Sequence, residues 1–305
     1  MTLLDIPEMF PTDDKCRETL KRLRWPDEIR CVRCRGSNVV RLATVKELYF
    51  CRDCIYQFSV IAGTIFNDSH LPLKTWFTAV LLLCEAKKGM SALQLKRTLW
   101  GLHKGSYKTA WYLCHRIRAA MATAERPMLD GTVEMDETYV GGKGRGKGIT
   151  KRGRGTDKEI VIGIRQRGGD LRFFHAQDVK SGTLAKYISE NISQDVDVIV
   201  TDDFGVYPSA MRKANVTAPH EQVNHSAKEY VRLGTDIHTN TVENSFSLLK
   251  RGIIGSWHKI SAKHLQAYLN EMTFRFDRRN NSDLFLDTLR HMVTADPLTF
   301  EKLTA

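Results

Sequence analysis

The chain has 305 residues, 42% of them hydrophobic, which is enough for one large domain or two to three smaller ones with apolar cores. Lys and Arg outnumber Asp and Glu by 46 to 35, and the resulting net charge of +11 favours a polyanionic partner. The apolar run from Val80 to Cys84 is far too short to cross a bilayer, and the first residues lack a secretory pattern. We therefore expect a cytoplasmic protein with no membrane partner.

The N-terminal region predicts a short helix followed by a metal-binding ribbon. Residues 12–24 predict the helix, with Asp13 and Asp14 in its first turn and a Trp-Pro pair at its end. Two Cys-x2-Cys pairs follow, separated by sixteen residues, which is the spacing of a four-thiolate zinc site. Two disulfides are a poor alternative in a reducing compartment. The predicted ligands of one structural Zn²⁺ are Cys31, Cys34, Cys51 and Cys54.

Three helices are predicted after the ribbon, over residues 72–87, 92–99 and 106–124, with Ser91 capping the second. The third helix contains Lys108 and Arg116, so the last two resemble a helix-turn-helix that reads DNA. Helical hairpins are also common packing units, so both interpretations stay open.

Residues 141–158 combine seven glycines with seven Lys or Arg and a single acid. Such a segment cannot bury apolar surface, which predicts a mobile loop. It is either a solubilising linker or a set of phosphate contacts that carry no sequence information, and the clustered charge favours nucleic acid. The cations predicted to bind DNA are Lys143, Arg145, Lys147, Lys151, Arg152 and Arg154.

The C-terminal half predicts an α/β domain. Strands are predicted at 132–140, 159–166 and 171–176, followed by a helix at 180–192 and a β-branched strand at 197–201 that is buried on both faces. Two long helices follow, near 240–253 and 261–279. The first aligns five polar residues on one face: Asn240, Glu243, Asn244, Ser247 and Lys250. This pattern is typical of a solvated face, or of a helix that presents Glu243 to a metal and Lys250 to a phosphate.

Acidic residues stand where two of these strands end. Asp136 lies in the first strand, and Asp202 directly follows the buried one. Neighbouring carboxylates raise each other's pKa, and a divalent cation such as Mg²⁺ or Mn²⁺ removes that repulsion. Two such ions can activate an attacking oxygen and stabilise the leaving oxygen of a phosphodiester. Surface acids at strand ends are the alternative that charge and spacing leave open.

Several segments resemble bacterial insertion-sequence transposases of the ISXO type. In the C-terminal half these are DETYVGGK, TDDFGVYP, VNHSAKEYV, HTNTVENSFSLLKRGIIGSWHKIS and KHLQAYLNEMTFR. The ribbon and FSVIAGTIFNDSHLPLKTWF resemble the same family's N-terminal region, so the resemblance extends from about residue 11 to residue 279. It implies an RNase H-like DDE domain that catalyses DNA transposition. The first knuckle reads CVRCRG where the family often has Pro and Gly beside the cysteines.

The resemblance also implies which residues form the catalytic site. Its acidic positions fall on Asp136, Asp202 and Glu243, which would bind Mg²⁺ or Mn²⁺, and its basic position falls on Lys250. Rivals stand close to each acid, namely Glu134, Glu137, Asp203, Asn240 and Asn244. We expect Glu137 and Asp203 to point away from the site. His238 is a candidate for holding the site or DNA, and Arg251 is predicted to contact nucleic acid.

We therefore predict an α/β, RNase H-like mixed sheet with flanking helices, preceded by a zinc ribbon and a helical region. The predicted divisions are an N-terminal helix (1–30), a zinc ribbon (31–66), a helical DNA-binding region (67–128), a catalytic domain (129–281) and a C-terminal tail (282–305). The predicted function is metal-dependent cleavage at insertion-sequence ends and strand transfer into target DNA, by a homo-oligomer assembled on double-stranded DNA. The alternatives are a transposase-derived DNA-binding protein without catalysis and a zinc-ribbon regulator, and the regulator leaves the C-terminal carboxylates unexplained.

Overall fold

The computed structural model describes residues 1–43, 45, 47–123, 126–141, 158–224, 227, 229 and 231–305. The six cations predicted in the basic segment lie outside these residues. The chain divides into two compact units, of which the first combines Met1–Ala124 with Asn280–Ala305 and the second is Glu125–Arg279. No helix in the described part of the chain has both the length and the hydrophobicity of a membrane-spanning segment.

The first unit contains a small ribbon and seven helices among its described residues. The ribbon strands are antiparallel in the order β1-β2-β3 and comprise β1 (Val39–Arg41), β2 (Leu48–Cys51) and β3 (Tyr56–Ser59). The helices are α1 (Asp5–Met9), α2 (Asp13–Arg24), α3 (Leu73–Glu85), α4 (Ala92–Trp100) and α5 (Tyr107–Ala122), with α10 (Leu284–Thr294) and α11 (Phe300–Thr304) at the C-terminal end.

Capping residues determine where the predicted helices begin. Thr12 accepts a hydrogen bond from the backbone of Lys15 at the start of α2, and Ser91 accepts one from Gln94 at the start of α4. Each bond satisfies a backbone N–H that lacks a partner inside the helix. The helix predicted at 92–99 is therefore confirmed, including its cap.

The last segment of the chain, 282–305, packs within the first unit. The face of α10 that includes Phe285, Leu289 and Met292 is buried. The ring of Phe285 lies 5.7 Å from that of Phe77 in α3. Apolar residues three and four apart are the ordinary sign of an amphipathic helix. The boundary that makes residues 282–305 a C-terminal tail stays a prediction.

The second unit is a five-stranded sheet in the order β6-β5-β4-β7-β8. Its strands are β4 (Thr132–Val140), β5 (Glu159–Gln166), β6 (Leu171–Ala176), β7 (Val198–Asp202) and β8 (His220–Val223). The first three form an antiparallel meander, and β7 and β8 run parallel to β4. Its principal helices are α6 (Ser181–Asn191), α7 (Tyr207–Lys213), α8 (Asn240–Gly252) and α9 (Ala262–Asp277), with a π-helical turn at Ile253–Trp257. The predicted mixed sheet with flanking helices is confirmed.

The sheet has a hydrophobic core on each face. Met135 and Ile162 pack with Tyr207 of α7 on one face, whereas Val161 packs with Phe246 of α8 on the other. Side chains alternate between the faces of a strand, so even-numbered residues of β4 lie on the α8 face. Gly163 lies opposite Asp136 on that face, where a Cβ atom would stand 2.7 Å from the Phe246 ring.

Candidate active site

The candidate site lies where strands β4 and β7 separate. Their last paired residues are Met135 and Thr201, and the next residues along the two parallel strands are Asp136 and Asp202. Since equivalent residues of paired strands point to the same face, both carboxylates are directed toward the side covered by α8. The two side chains belong to a group of acids whose ligand oxygens all lie within 4.8 Å of one another.

Glu137 completes this group of three acids, so the prediction that it points away is wrong. Alternation places it on the opposite face, where Tyr207 of α7 donates a hydrogen bond to Glu137 Oε2 at 3.1 Å. Beyond Met135, however, β7 no longer pairs with β4, and β7 ends at Asp202. A carboxylate oxygen of Glu137 lies within 4.8 Å of one of Asp202. Asp203 is exposed and lies outside the group.

The surroundings of Asp136 strongly perturb its pKa. Burial raises the pKa of Asp136 well above its usual range, and the charges of Glu137 and Asp202 raise it further. A hydrogen bond of 2.7 Å from the Glu137 backbone N–H to Asp136 Oδ1 opposes this shift. Burial and the same carboxylates also raise the pKa of Tyr207. Oxygen donors that repel one another in a partly buried position fit a hard divalent cation such as Mg²⁺ or Mn²⁺.

Glu243 lies in the first turn of α8 and is half-buried. Its charge also raises the pKa of Asp136, although less than the charges of Glu137 and Asp202 do. Glu243 Oε1 accepts a hydrogen bond from the Thr239 hydroxyl at 3.2 Å, and it is outside the close group formed by the described acids. Its role as a ligand stays a prediction. The same holds for the rival amides Asn240 and Asn244, which are exposed, as is Lys250 at the far end of the helix.

Glu134, the rival of Asp136 on the same strand face, is fully buried and is bound by other groups. Its Oε2 accepts hydrogen bonds from the backbone N–H groups of Thr241 at 2.8 Å and Val242 at 2.9 Å. Its Oε1 accepts a 2.6 Å hydrogen bond from Arg167 Nε and lies 3.3 Å from His238 Nδ1. Glu134 therefore attaches the start of α8 to the sheet.

Two residues of this environment were missed by the sequence analysis. Arg167 directly follows β5 and donates hydrogen bonds to the backbone oxygens of Asp236 and His238 as well as to Glu134. Tyr207 lies in the TDDFGVYP motif, where only the acids were considered. The sequence position of Arg167 gives no local signal of its role, whereas the place of Tyr207 within a motif could have indicated one.

The four predicted zinc ligands lie together in the ribbon. Cys31 Sγ is 3.5 Å from Cys54 Sγ, and Cys34 Sγ is 3.6 Å from Cys51 Sγ. A tetrahedral Zn²⁺ with Zn–S bonds of about 2.3 Å separates its sulfurs by roughly 3.8 Å, so these distances fit the ion. The backbone N–H of Arg33 points at Cys31 Sγ from 3.4 Å, which favours the thiolate form that zinc requires.

The two cations predicted on helix α5 differ in exposure. Lys108 is exposed, with its Nζ 4.2 Å from the centre of the Phe300 ring. Arg116 is only 4% exposed, donates to the Asn67 carbonyl and stacks on the rings of Trp76 and Tyr112. This placement gives Arg116 a packing role, and its contact with DNA stays a prediction.

Both halves of the sequence match models of transposase domains. Residues 128–277 match the ISXO2-like transposase domain, and residues 11–57 match the transposase zinc-ribbon domain. An uncharacterized protein in transposable element ISH50 of Halobacterium salinarum is 30% identical over 281 residues, which cover 87% of this chain and 91% of that protein.

Solved structures with some similarity include two complexes of Mos1. The strand transfer complex is 10% identical, covers 71% of this chain and 74% of that chain, and has a TM-score of 0.31. A pre-cleavage Mos1 transpososome is 9% identical and has a TM-score of 0.24, and the match covers 72% of this chain and 78% of the Mos1 chain. These scores are too low to support a conclusion about the fold. The two domain matches and the relative in ISH50 agree with each other, and the chain belongs to the ISXO2-like transposase family.

Proposed function

We propose that this chain cleaves a phosphodiester at each end of its insertion sequence and joins the freed 3′ end to target DNA. In the first step a water oxygen bonds to phosphorus as the P–O3′ bond breaks, leaving a 3′-OH and a 5′-phosphate. In the second step that 3′-OH attacks a target phosphodiester, so one P–O bond replaces another. The observation that carries the proposal is the convergence of Asp136 and Asp202 where the neighbouring strands β4 and β7 stop pairing, in a chain of this family.

The carboxylates of Asp136 and Asp202 are the proposed holders of the catalytic cations, with Glu243 as the predicted third ligand. When bound there, divalent cations would activate the attacking oxygen and stabilise the leaving oxygen. The protein itself positions the DNA, and Lys250 is the proposed contact to the backbone. Glu137 is near enough to share a cation with the two aspartates, and its 3.1 Å bond from Tyr207 fixes its orientation.

Recognition of the element ends is assigned to the first unit. The zinc ribbon and the helices α4 and α5 are the proposed readers of the terminal repeats, with Lys108 on their exposed surface. The basic segment 141–158 is the proposed contact to the DNA backbone. The predicted cytoplasmic location, homo-oligomer on DNA and domain boundaries stay predictions.

The test is strand cleavage by the purified, zinc-loaded chain on duplexes that contain its terminal inverted repeats. These repeats can be located on either side of the coding region. We expect nicks at the element ends that require added Mg²⁺ or Mn²⁺, and we expect Asp202→Asn to abolish them while end binding persists. The matched control is Asp203→Asn, which neutralises the exposed neighbouring acid and should keep full activity.

If the wild-type chain binds the ends and does not cut them under any divalent cation, catalysis is excluded. The protein is then a transposase-derived DNA-binding protein. If Asp202→Asn cuts as fast as the wild type, the carboxylate group described above is not the catalytic site.

A further inference from the structure

One stretch of the second unit is entirely free of acidic residues. Between Asn244 and Glu271 the sequence contains no Asp or Glu. The same stretch contains six residues that are cationic or can become so, which are Lys250, Arg251, His258, Lys259, Lys263 and His264. It spans the end of α8, the π-helical turn and the start of α9.

Three cations of this stretch are exposed and form no ion pair with a described residue. They are Lys250, Arg251 and Lys259. Exposed cations elsewhere in the same unit do pair, for example Lys180 with Asp178 at 3.5 Å and Lys186 with Glu190 at 4.0 Å. A solvated surface usually mixes both signs, so the uncompensated positive charge at this place indicates an anionic partner.

The backbone that carries these cations is held in a defined conformation. Trp257, at the end of the π-helical turn, is only 7% exposed, and its ring lies 5.0 Å from that of Tyr268. His258 then adopts a left-handed φ of 59°, and the N–H of Lys259 donates to the Trp257 carbonyl at 2.7 Å. A π-helical turn is rare and frequently marks a functional site. Because the turn is anchored in the core, ordering it on binding costs little conformational entropy.

The tip of the turn also allows a close approach by a large partner. Gly255 is exposed, and a Cβ atom there would meet open space. The neighbouring Ile254 is 75% exposed. A single apolar side chain among cations does not form an apolar patch of the size that protein partners use.

We infer that the exposed surface from Lys250 to Lys259, the basic turn, binds the sugar-phosphate backbone of duplex DNA. The inference rests on the proposed function, and it extends the backbone contact proposed there for Lys250 to Arg251 and Lys259. An α-helix rises about 1.5 Å per residue, so Lys250 lies roughly 10 Å along α8 from Glu243. The basic turn would therefore contact phosphates a few nucleotides from the bond that is cut, without reading the bases.

The experiment compares two double variants with the same change of charge. The test variant is Arg251→Gln and Lys259→Gln. The control is Lys180→Gln and Lys186→Gln, which neutralises two exposed cations at the start of α6 and within it. Affinity for an element-end duplex and for an unrelated duplex is measured over a range of salt concentrations, without Mg²⁺, so that binding is separated from cleavage.

Each phosphate contact contributes about 0.9 to the slope of log affinity against log salt. We expect the test variant to reduce the slope by about 1 to 2 on both duplexes, and the control to change it by less than about 0.5. The variant Arg251→Lys and Lys259→Arg should keep the wild-type slope, because charge is retained. This variant separates lost charge from a folding defect.

Equal slopes for the test and control variants would overturn the inference and leave the proposed function intact. A test variant that lost slope only on the element-end duplex would also overturn it, since backbone contacts are independent of sequence. A wild-type chain that binds both duplexes and never cuts them would exclude the proposed catalysis. The salt dependence of the test variant would still decide whether the basic turn binds DNA. A wild-type chain that binds no duplex would overturn both.

Discussion

Glu134 on strand β4 accepts a 2.9 Å hydrogen bond from the backbone N–H of Val242 in the first turn of α8. Helix starts are usually capped by a nearby side chain, but here Thr239 donates to Glu243 instead of accepting from the helix. The cap is thus supplied by the sheet. Asp136 is two residues after Glu134, and Glu243 directly follows Val242. This bond therefore fixes the position of Glu243 on α8 relative to Asp136 on β4.

We expect Glu134→Gln to destabilise the second unit by about 3 kcal/mol. The substitution removes the charged partner of Arg167, whose hydrogen bond to Glu134 is 2.6 Å and largely buried. Urea unfolding measures the loss. The matched control is Glu159→Gln, which removes a partly exposed carboxylate paired with His175 and should cost about 1 kcal/mol or less. Equal losses in the two variants would contradict a special role for Glu134.

Substitutions of Glu243 and Glu137 should lower the cleavage rate to different extents. Glu243→Gln should abolish Mg²⁺-dependent cleavage and leave end binding nearly intact, because it removes a charged ligand and keeps its shape. Glu137→Gln should lower the rate less if Tyr207 is its principal partner. Strand cleavage and end binding are measured for both variants.

Full cleavage by Glu243→Gln would exclude that residue from the chemistry. In that case the third ligand would be an asparagine side chain, and Asn240→Ala or Asn244→Ala should abolish cleavage. Loss of cleavage in Glu137→Gln alone would assign the third position to strand β4.

The purified chain should contain one zinc ion, held by the four sulfurs of the ribbon. Cys51→Ser should release it and unfold the ribbon, because Cys51 is fully buried beside Cys34. Metal content per chain is the measurement. Cys114→Ser changes a buried thiol of α5 and should keep the zinc. Zinc-free wild-type protein, prepared without chelators, would show the assignment to be wrong.

Neutralising the basic segment should weaken DNA binding on every sequence alike. The variant replaces Lys143, Arg145, Lys147, Lys151, Arg152 and Arg154 with Gln, and its salt dependence should be flatter than that of the wild type. Binding to an element-end duplex and to an unrelated duplex is compared over a range of salt concentrations. An unchanged slope would identify the segment as a linker that does not contact phosphates.

The sequence by itself determined the features that depend on local geometry. The strand at 132–140 is predicted and observed with the same bounds, because alternation along one strand is a local pattern. The four cysteines were found from spacing alone, since each knuckle is closed by residues adjacent in the chain. The cap at Ser91 needs only the residues that follow it. The family resemblance, also read from local motifs, is confirmed by the domain matches.

Only the tertiary structure decided which acid of β4 caps α8 and which acids lie together near Asp202. Alternation correctly places Glu134 and Asp136 on one face, but it does not show that helix N–H groups more than a hundred residues later bind Glu134. Nor does it show that a carboxylate oxygen of Glu137 lies close to one of Asp202. Pairing partners, strand ends and burial arise when distant segments meet. A carboxylate in isolation has the same chemistry at all three positions, and its surroundings in the folded chain determine whether it caps a helix or faces a cation.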